Sequence, residues 1–215
     1  EDCCQAHMTE YKGKYVGTIG DIGCFSFQQA KHMTTGDGGM VITNNAQYYE
    51  HMKLFVDKGF ARKEWGPRAY LFHGQNYRMN ELTAAVGIAQ LKKVKDVVKK
   101  RNELGEYMTK LLSGLPRIKT CPITAGASHS YWLYPLYFEG KDIEHFGQIL
   151  KREWVPGSIG YTVKPIYLCS ESLTKHKTYG ESQYPFSWKG VEKDYEYKEG
   201  LCPKAEEALR HLYTI

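Results

Sequence analysis

The feature that most restricts the fold of this sequence is an apolar repeat at helical spacing in its middle. Asn80 can act as the N-cap of a helix, because its side chain can accept a hydrogen bond from a backbone N–H of the first turn. Apolar residues then recur three and four positions apart, at Leu82, Ala85, Val86, Ala89, Val94, Val97 and Val98. The pattern extends to Leu112 and ends at Gly114 and Pro116. A helix of about 30 residues is long for one globular domain, so we expect it to connect two.

The segments on the two sides of this helix differ in character. Before it we predict strands at Cys24–Phe27 and Met40–Thr43, a helix at Ala46–Leu54 and a long loop at Phe55–Asn76. Loops of this length are often functional, and a plain surface excursion is the alternative. After it we predict, in order, an aromatic strand, a helix, a broken strand, an irregular stretch and a last helix: Tyr131–Phe138, Asp142–Glu153, Gly157–Pro165, Leu168–Lys198 and Pro203–Leu212. The sequence therefore predicts an α/β protein that ends in a small α+β domain, with the boundary near residue 110.

Composition excludes several classes of protein. No run approaches the roughly 20 apolar residues of a membrane span. The six cysteines are scattered without Cys-x-x-Cys spacing, which argues against a metal site and favours a reducing compartment, so we expect the cytoplasm. The net charge is +5, and the one basic run, Lys92–Arg101, lies within the helical pattern. A solvated helix face explains that run better than nucleic-acid binding does.

Three short motifs carry candidate chemical groups. They are Glu1-Asp2-Cys3-Cys4-Gln5, then Phe25-Ser26-Phe27 with Lys31 and Thr34-Thr35-Gly36-Asp37-Gly38-Gly39, and finally Asn76-Tyr77-Arg78-Met79-Asn80. A carboxylate at a strand end, such as Asp2, can hold a cation or a protonated ring nitrogen. Ser26 can donate to a phosphate oxygen. Lys31, in a glycine-bounded loop, can act as a nucleophile toward a carbonyl. Taken singly, each residue also fits an ordinary surface role.

Taken together, these motifs resemble the DegT/DnrJ/EryC1/StrS family of sugar (or cyclitol) aminotransferases. The family pattern has an acidic pair, a glycine-rich approach to a Ser-Phe strand, a lysine, and then Thr-x-Gly-(Glu or Asp)-Gly-Gly. The likeness includes the Asn-Tyr-Arg-Met segment and continues to Gly200–Glu207. The resemblance implies a pyridoxal-phosphate (PLP) dependent transferase of fold type I. It implies that residues 1–110 belong to the end of the large PLP-binding domain and 111–215 to the small domain. We expect the sequence to be the carboxy-terminal portion of a longer protein.

The same resemblance implies roles for individual residues. Lys31 is similar to the lysine that forms a Schiff base with PLP and moves the substrate proton, and Asp2 to the residue that pairs with the pyridine nitrogen. Gln5 corresponds to the residue beside the ring oxygen O3′, and Ser26 to a phosphate ligand. Asn76 corresponds to a residue that reaches the partner's cofactor phosphate across a homodimer interface.

Three residues stand directly beside these positions, namely Tyr77, Arg78 and His32. Tyr77 and Arg78 follow Asn76, and a role in fixing the loop competes with a role in binding the substrate. His32 follows Lys31, and no role is assigned to it.

The resemblance implies a reaction as well as a site. We expect ping-pong transfer of an amino group from Glu or Gln to a keto sugar, often nucleotide-linked, or to a keto-cyclitol. The residues of Phe25–Lys31 resemble the branch of the family that acts on keto-cyclitols more than the branch that carries Ser-Phe-His-x-Thr-Lys. Related dehydratases carry His where Lys31 stands, so the lysine favours transamination. Two alternatives remain: a PLP-binding homologue that does not transaminate, and a non-catalytic fragment that requires a partner chain.

Overall fold

The computed structural model describes residues 1–61, 68–188 and 196–215. These residues divide into two compact units, the first being Glu1–Met108 with Pro122–Trp132 and the second Thr109–Cys121 with Leu133–Ile215. The division is discontinuous, whereas the sequence suggested one boundary near residue 110. Local sequence patterns do not show that residues 122–132 return to the first unit, because the contacts responsible are long-range.

Short strands and seven helices make up the described parts of the chain. In chain order they are β1 (Glu10–Tyr11), β2 (Lys14–Tyr15), β3 (Gly23–Ser26), β4 (Gly39–Ile42), α1 (Ala46–Phe55), β5 (Phe60–Ala61), β6 (Ala69–Tyr70), α2 (Glu81–Leu91), α3 (Val94–Leu112), β7 (Ile118–Thr120), β8 (Ala127–Ser128), β9 (Pro135–Phe138), α4 (Ile143–Arg152), β10 (Ser158–Ile159), α5 (Ile166–Cys169), α6 (Glu171–Thr174), α7 (Pro203–Arg210) and β11 (Leu212–Thr214). None of these helices combines the length and the apolar character that crossing a bilayer would need.

In the first unit, β3 and β4 form an antiparallel hairpin, and β2, β1 and β8 form a small antiparallel sheet. The parallel pairing expected for a large cofactor-binding domain occurs among the described residues as isolated bridges, Asp2 with Cys24 and Gln28 with Gly36. A buried cluster joins the hairpin to α3 and consists of Phe27, Met33, Val94 and Val98. This cluster fixes the turn that carries Lys31 against the helix.

The prediction of one helix of about 30 residues after Asn80 is wrong. The chain forms two helices, α2 and α3, separated by Lys92 and Lys93. The apolar spacing continues through the break, so it gives no sign of the interruption. The predicted cap is confirmed, since Asn80 Oδ1 accepts a hydrogen bond from the Thr83 N–H at 2.9 Å.

The predicted loop between α1 and Asn76 contains a short antiparallel pair, β5 with β6. Its middle, residues 62–67, lies outside the described residues. The predicted irregular stretch from Leu168 to Lys198 contains α6, and residues 189–195 of it also lie outside the described residues.

The second unit is built on a four-stranded antiparallel sheet in the order β10-β11-β9-β7. Helix α4 lies against it, with the Phe146 ring stacked on Phe138 at 4.4 Å between centroids. Asp142 caps α4 by accepting a hydrogen bond from the His145 N–H at 2.8 Å. The predicted strand Tyr131–Phe138 is shorter than expected, because regular pairing begins at Pro135. The preceding residues Tyr131 and Trp132 instead accept hydrogen bonds from Arg101 through their carbonyl oxygens.

Candidate functional site

Glu1, the first member of the acidic pair, organises a glycine-containing loop. Its carboxylate accepts backbone N–H hydrogen bonds from Gly17, Ile19 and Gly20, at 2.9, 2.9 and 2.5 Å. These bonds, that from Gly17 first, hold the pKa of Glu1 below its usual value. Gly23 is required at the end of this loop, because a Cβ there would lie 2.4 Å from the Gly17 carbonyl oxygen. Glu1 therefore has a structural role, because its carboxylate is already engaged by three backbone N–H groups of the loop.

Asp2, the second member of the pair, is exposed, as Glu1 is. Its Oδ1 accepts a hydrogen bond from the Cys4 N–H at 3.1 Å, and its backbone bridges Cys24 at the side of β3. Hydrogen bonding to Cys4, helped by the positive charge of Lys31, lowers the pKa of Asp2. Hydrogen bonding between the Asp2 carboxylate and the Cys4 thiol, followed by burial, raises the pKa of that thiol to about 11. At neutral pH the pair is therefore a carboxylate beside a neutral thiol.

Lys31 lies in the turn after β3, where its backbone N–H donates to the Gln28 carbonyl at 2.9 Å. Its Nζ lies 3.9 Å from the centroid of the Trp132 ring. The indole Nε1–H of Trp132 donates to the carbonyl oxygen of Ala30 at 2.7 Å. Sequence reasoning missed Trp132 because it stands about a hundred positions further along the chain, inside a run that looks like a strand.

His32, the residue after Lys31, is buried in the first unit. Its Nε2–H donates to the Ser130 carbonyl oxygen at 2.9 Å. Burial lowers the pKa of His32 to about 4, so the ring is neutral at pH 7. His7 is also buried, and burial followed by the charge of Lys31 lowers its pKa. No role was assigned to His32 from the sequence, and in the structure its hydrogen bond connects the lysine turn to Ser130.

Ser26 and Gln5 lie in the same unit as Asp2 and Lys31. Ser26 ends β3, and its Oγ accepts a hydrogen bond from the Gln28 N–H at 3.3 Å, which leaves its own O–H able to donate. Gln5 is exposed, three residues after Asp2. The first two motifs thus contribute an ionised carboxylate, an amine, a hydroxyl and an amide from neighbouring segments.

Asn76, Tyr77 and Arg78 form a second group, centred on Asp57. Asp57 is buried, and its Oδ1 lies 3.1 Å from Arg78 Nε. Arg78 Nε also donates to Asn76 Oδ1 at 3.3 Å, and the Tyr77 N–H donates to the Val56 carbonyl at 2.9 Å. The Tyr77 side chain is 70% exposed. The structure therefore places this motif around Asp57, and the other predicted residues around β3.

An apolar cavity of about 360 Å³ opens between the β3–β4 hairpin and α2. It is lined by His7, Met8, Phe25, Phe27, Met33, Met40, Ile42, Met79, Ala84, Gly87, Ile88, Leu91 and Val94. None of the seven predicted site residues is among this lining in the described part of the chain. An apolar wall does not suit a phosphate, so the cavity is separate from the candidate cofactor residues.

Comparison with known proteins agrees with the motifs. The model of the DegT/DnrJ/EryC1/StrS aminotransferase family matches residues 1–195. The chain belongs to this family. The match includes Asp2, Lys31 and Asn76, the three residues on which the sequence interpretation depends.

Two curated relatives illustrate what this chain is similar to. GDP-perosamine synthase of Escherichia coli O157:H7 is 32% identical over 195 residues, which cover 89% of this chain and 51% of that protein. L-glutamine:2-deoxy-scyllo-inosose aminotransferase of Streptoalloteichus tenebrarius is 30% identical over 177 residues, covering 78% of this chain and 41% of that protein. The chain thus spans about half the length of the curated relatives it matches.

A solved structure shows the same fold. The putative sugar aminotransferase Spr1654 from Streptococcus pneumoniae, in its PMP-form, superposes with a TM-score of 0.76 at 21% identity. The superposition covers all of this chain and 50% of that one. The α/β fold of the PLP-dependent sugar aminotransferases, expected from the motifs, is confirmed.

Proposed function

We propose that this chain is part of a PLP-dependent aminotransferase that moves an amino group from Glu or Gln to a keto sugar or a keto-cyclitol. The observation that carries the proposal is Lys31, whose amine lies in the same unit as the ionised Asp2. Family membership supports it, because the named relatives are aminotransferases and sugar-amine synthases.

The side chains present fit the chemistry of the cofactor. Asp2 is a carboxylate at neutral pH and would hold the protonated pyridine nitrogen. Ser26 has a hydroxyl proton to donate to the phosphate, and Gln5 would lie beside the ring oxygen O3′. Lys31 provides a primary amine for the aldehyde. When bound, PLP supplies an electron sink for the substrate carbon that carries the amino group.

The residues of this chain would then divide the work of proton transfer. Lys31 Nζ would take the proton from the α-carbon of the donor amino acid and return one to the acceptor carbon. Asp2 would keep the proton on the ring nitrogen, because its own pKa is low. The donor product leaves before the keto substrate enters, so one set of side chains serves both half-reactions.

The acceptor class is inferred from relatives of two kinds. One relative is named for perosamine, an amino sugar on a nucleotide, and another for a cyclitol ketone. Tyr77 is the more accessible candidate for a substrate contact, because its side chain is 70% exposed. The ion pair of Arg78 with Asp57 supports the alternative in which Arg78 fixes the loop.

The assembly is proposed as a homodimer with shared active sites. Asn76 lies in the group around Asp57 and would reach the cofactor phosphate of the partner subunit. The first unit would be the end of the large cofactor-binding domain, and the second the small domain. The free thiols of Cys3, Cys4 and Cys24 agree with a cytoplasmic location.

Covalent capture of PLP tests the central assignment. The purified protein would be incubated with PLP, reduced with borohydride, digested and examined by mass spectrometry. We expect a pyridoxyl group on the peptide that contains Lys31, and a visible absorbance band that Glu or Gln bleaches. Lys31→Ala should lose both signals, whereas Lys12→Ala, which changes an exposed lysine, should keep them.

The alternatives predict different outcomes in the same experiment. Capture at Lys31 without bleaching by either amino acid would indicate a homologue that does not transaminate. No capture at Lys31 would contradict the assignment for this chain and favour a fragment that requires a partner chain.

A further inference from the structure

The turn that carries Lys31 is attached to residues 130–132 at three points. Trp132 Nε1–H donates to the Ala30 carbonyl at 2.7 Å, and His32 Nε2–H donates to the Ser130 carbonyl at 2.9 Å. Between these two hydrogen bonds, Lys31 Nζ lies 3.9 Å from the centre of the Trp132 ring. Both backbone neighbours of the lysine and the lysine itself therefore contact one short segment.

That segment is itself held firmly. Arg101 NH1 donates to the carbonyl oxygens of Tyr131 and Trp132 at 2.9 and 3.1 Å. The Ser130 hydroxyl accepts a hydrogen bond from Thr9 Oγ1 at 2.9 Å. Tyr131 is buried, and its ring packs against the backbone of α3 at Gly105. Residues 130–132 can therefore act as a support, because two separate parts of the first unit, helix α3 and Thr9, hold them.

The Lys31–Trp132 pair differs from the other lysine–ring pairs in the described residues. Lys12 lies 5.1 Å from the ring of its neighbour Tyr11, and Lys53 lies 5.7 Å from Tyr49 one helical turn away. Those pairs join residues that are close in sequence in any case. Lys31 and Trp132 are far apart in the sequence, so only the tertiary fold brings them into contact. Tryptophan also gives the strongest cation–π attraction of the aromatic residues.

We propose that Trp132 is a positioning residue for Lys31, and that its indole face holds the lysine ammonium whenever this side chain is not bonded to the cofactor. The proposal rests on the proposed role of Lys31 as the cofactor lysine. A free lysine side chain has many rotamers, and selecting one before the reaction removes part of the entropic cost. The Nε1–H bond to Ala30 fixes the backbone of the same turn, so one side chain sets both the turn and the amine.

The resting contact can be measured without the cofactor. Lysines of the purified protein would be reductively dimethylated with ¹³C-formaldehyde and a borohydride reductant, which keeps their positive charge. The Lys31 signal would be assigned by its loss in Lys31→Arg. A ring current from the indole should shift the Lys31 methyl signals upfield from those of exposed lysines. Trp132→Ala should abolish the shift, and Trp132→Phe should keep part of it. Trp154→Ala, which removes a tryptophan that is 93% exposed, should leave it unchanged.

Two results would overturn the proposal. One is a Lys31 signal at the position of exposed lysines in the unaltered protein. The other is a shift that persists in Trp132→Ala. If circular dichroism shows that Trp132→Ala does not fold, Trp132→Phe is the deciding variant, since it keeps an aromatic ring while losing the Nε1–H donor and part of the indole surface. A Lys31 signal in this variant equal to that of exposed lysines would then contradict the proposal.

Capture of PLP separates this proposal from the proposed function. Borohydride trapping at Lys31 should slow about fivefold in Trp132→Ala, because the released side chain loses the rotamer selection that Trp132 provides before the amine reacts. Trp132→Phe should restore most of the rate, which a merely structural loss would not allow. An unaltered protein that shows the ring-current shift without trapping at Lys31 would contradict the cofactor role and leave the resting contact intact. Trapping at equal rates in the unaltered protein and Trp132→Ala would contradict the positioning role.

Discussion

The imidazole rings of His7 and His32 lie 5.5 Å apart, centroid to centroid, inside the first unit. Both residues are about 5% exposed, and both ring nitrogens of His7 have no hydrogen-bond partner within the described ranges. A charge on either ring would therefore be poorly compensated. Since Lys31 is the residue before His32, protonation here also acts on the turn that carries the candidate catalytic amine.

The first prediction is a loss of stability in mild acid. Burial lowers the folded-state pKa of His32 from 6.5 to about 4, so the unfolded chain takes up a proton first as the pH falls. Stability is thus complete above pH 6.5 and declines between pH 6.5 and 4. His32→Gln, which can still donate to the Ser130 carbonyl, should flatten this decline. We expect the Tm difference between pH 7 and pH 5 to shrink by roughly 2–6 °C, measured by circular dichroism. An unchanged pH profile in this variant would assign the decline to other groups.

The second prediction concerns Gly105 in α3. Alanine normally stabilises a helix interior by about 0.5–1 kcal/mol relative to glycine. At this position, however, a Cβ would lie 2.6 Å from the ring carbon Cε2 of Tyr131. We expect Gly105→Ala to lower the free energy of unfolding by about 1–3 kcal/mol in urea titrations. Leu104→Ala, at the exposed neighbour, should change it by less than about 0.5 kcal/mol. A stabilised Gly105→Ala protein would show that the ring moves aside at little cost.

The third prediction compares two adjacent glutamates. Glu206 is buried and accepts hydrogen bonds from the Tyr167 hydroxyl and from the Gly200 and Cys202 N–H groups. Glu207 is exposed, forms a surface ion pair with Arg210 and lies 3.0 Å from His211 Nε2. Glu206→Ala should lower the Tm and speed hydrogen exchange around Gly200, and Glu207→Ala should do neither.

The pH dependence of Glu206 has the same sense as that of His32 but lies in a lower pH window. Hydrogen bonding, from Tyr167 first, lowers the pKa of Glu206 below 4.5, so its contribution is present above pH 4.5 and is lost as the pH falls through the folded-state value. Glu206→Ala should therefore lose less stability than the unaltered protein on acidification below pH 4.5. A steeper loss would contradict this assignment.

The fourth prediction concerns the start of α1, where two asparagines stand side by side. Asn45 Oδ1 accepts from the N–H groups of Gln47 and Tyr48 at 2.9 and 3.1 Å. Asn45→Ala should cost about 1 kcal/mol in unfolding free energy. Asn44→Ala, one residue earlier and exposed, serves as the matched control and should change it by less than about 0.5 kcal/mol. Equal effects of the two substitutions would argue against the cap.

The fifth prediction addresses catalysis by Asp2. If this carboxylate holds a proton on the ring nitrogen, its neutral analogue in Asp2→Asn should slow the bleaching of the cofactor band by Glu or Gln. A hydrogen bond to a charged group contributes about 1.5–3 kcal/mol, which corresponds to a loss of roughly 10- to 100-fold in rate. Trapping at Lys31 should persist in this variant, because the amine itself is unaltered. Stopped-flow absorbance would measure the rate, and an unaffected rate would remove Asp2 from the proposed site.

Local signals in the sequence predicted the parts of the fold that depend on local interactions. Asn80 was predicted as a helix cap from its position before an apolar repeat, and its side chain caps α2. The strand at Cys24 and the helix at Ala46 also lie where spacing and turn residues indicated. Helix caps and turns are determined by three or four consecutive residues, so they can be predicted from a single sequence.

The contacts that position Lys31 could not be predicted in this way. Trp132 belongs to an aromatic run that alternates like a strand, and nothing local distinguishes a ring packed beside a lysine from one packed in a sheet. The break between α2 and α3 at Lys92 was also missed, because the apolar spacing typical of one helix continues across it. Both cases depend on which distant residues are available for packing, and that information is not contained in a short window.

The attachment of Lys31 to residues 130–132 also has a consequence for biosynthesis. The two hydrogen bonds that make it join residues 98 and 102 positions apart. Ribosomes add about 5–20 residues each second, so the lysine turn emerges several seconds before its support is translated. During that interval the amine has no fixed orientation, and the chain must close a long loop, which is entropically slow. Lys31 therefore reaches its final position only after residues 130–132 have been translated.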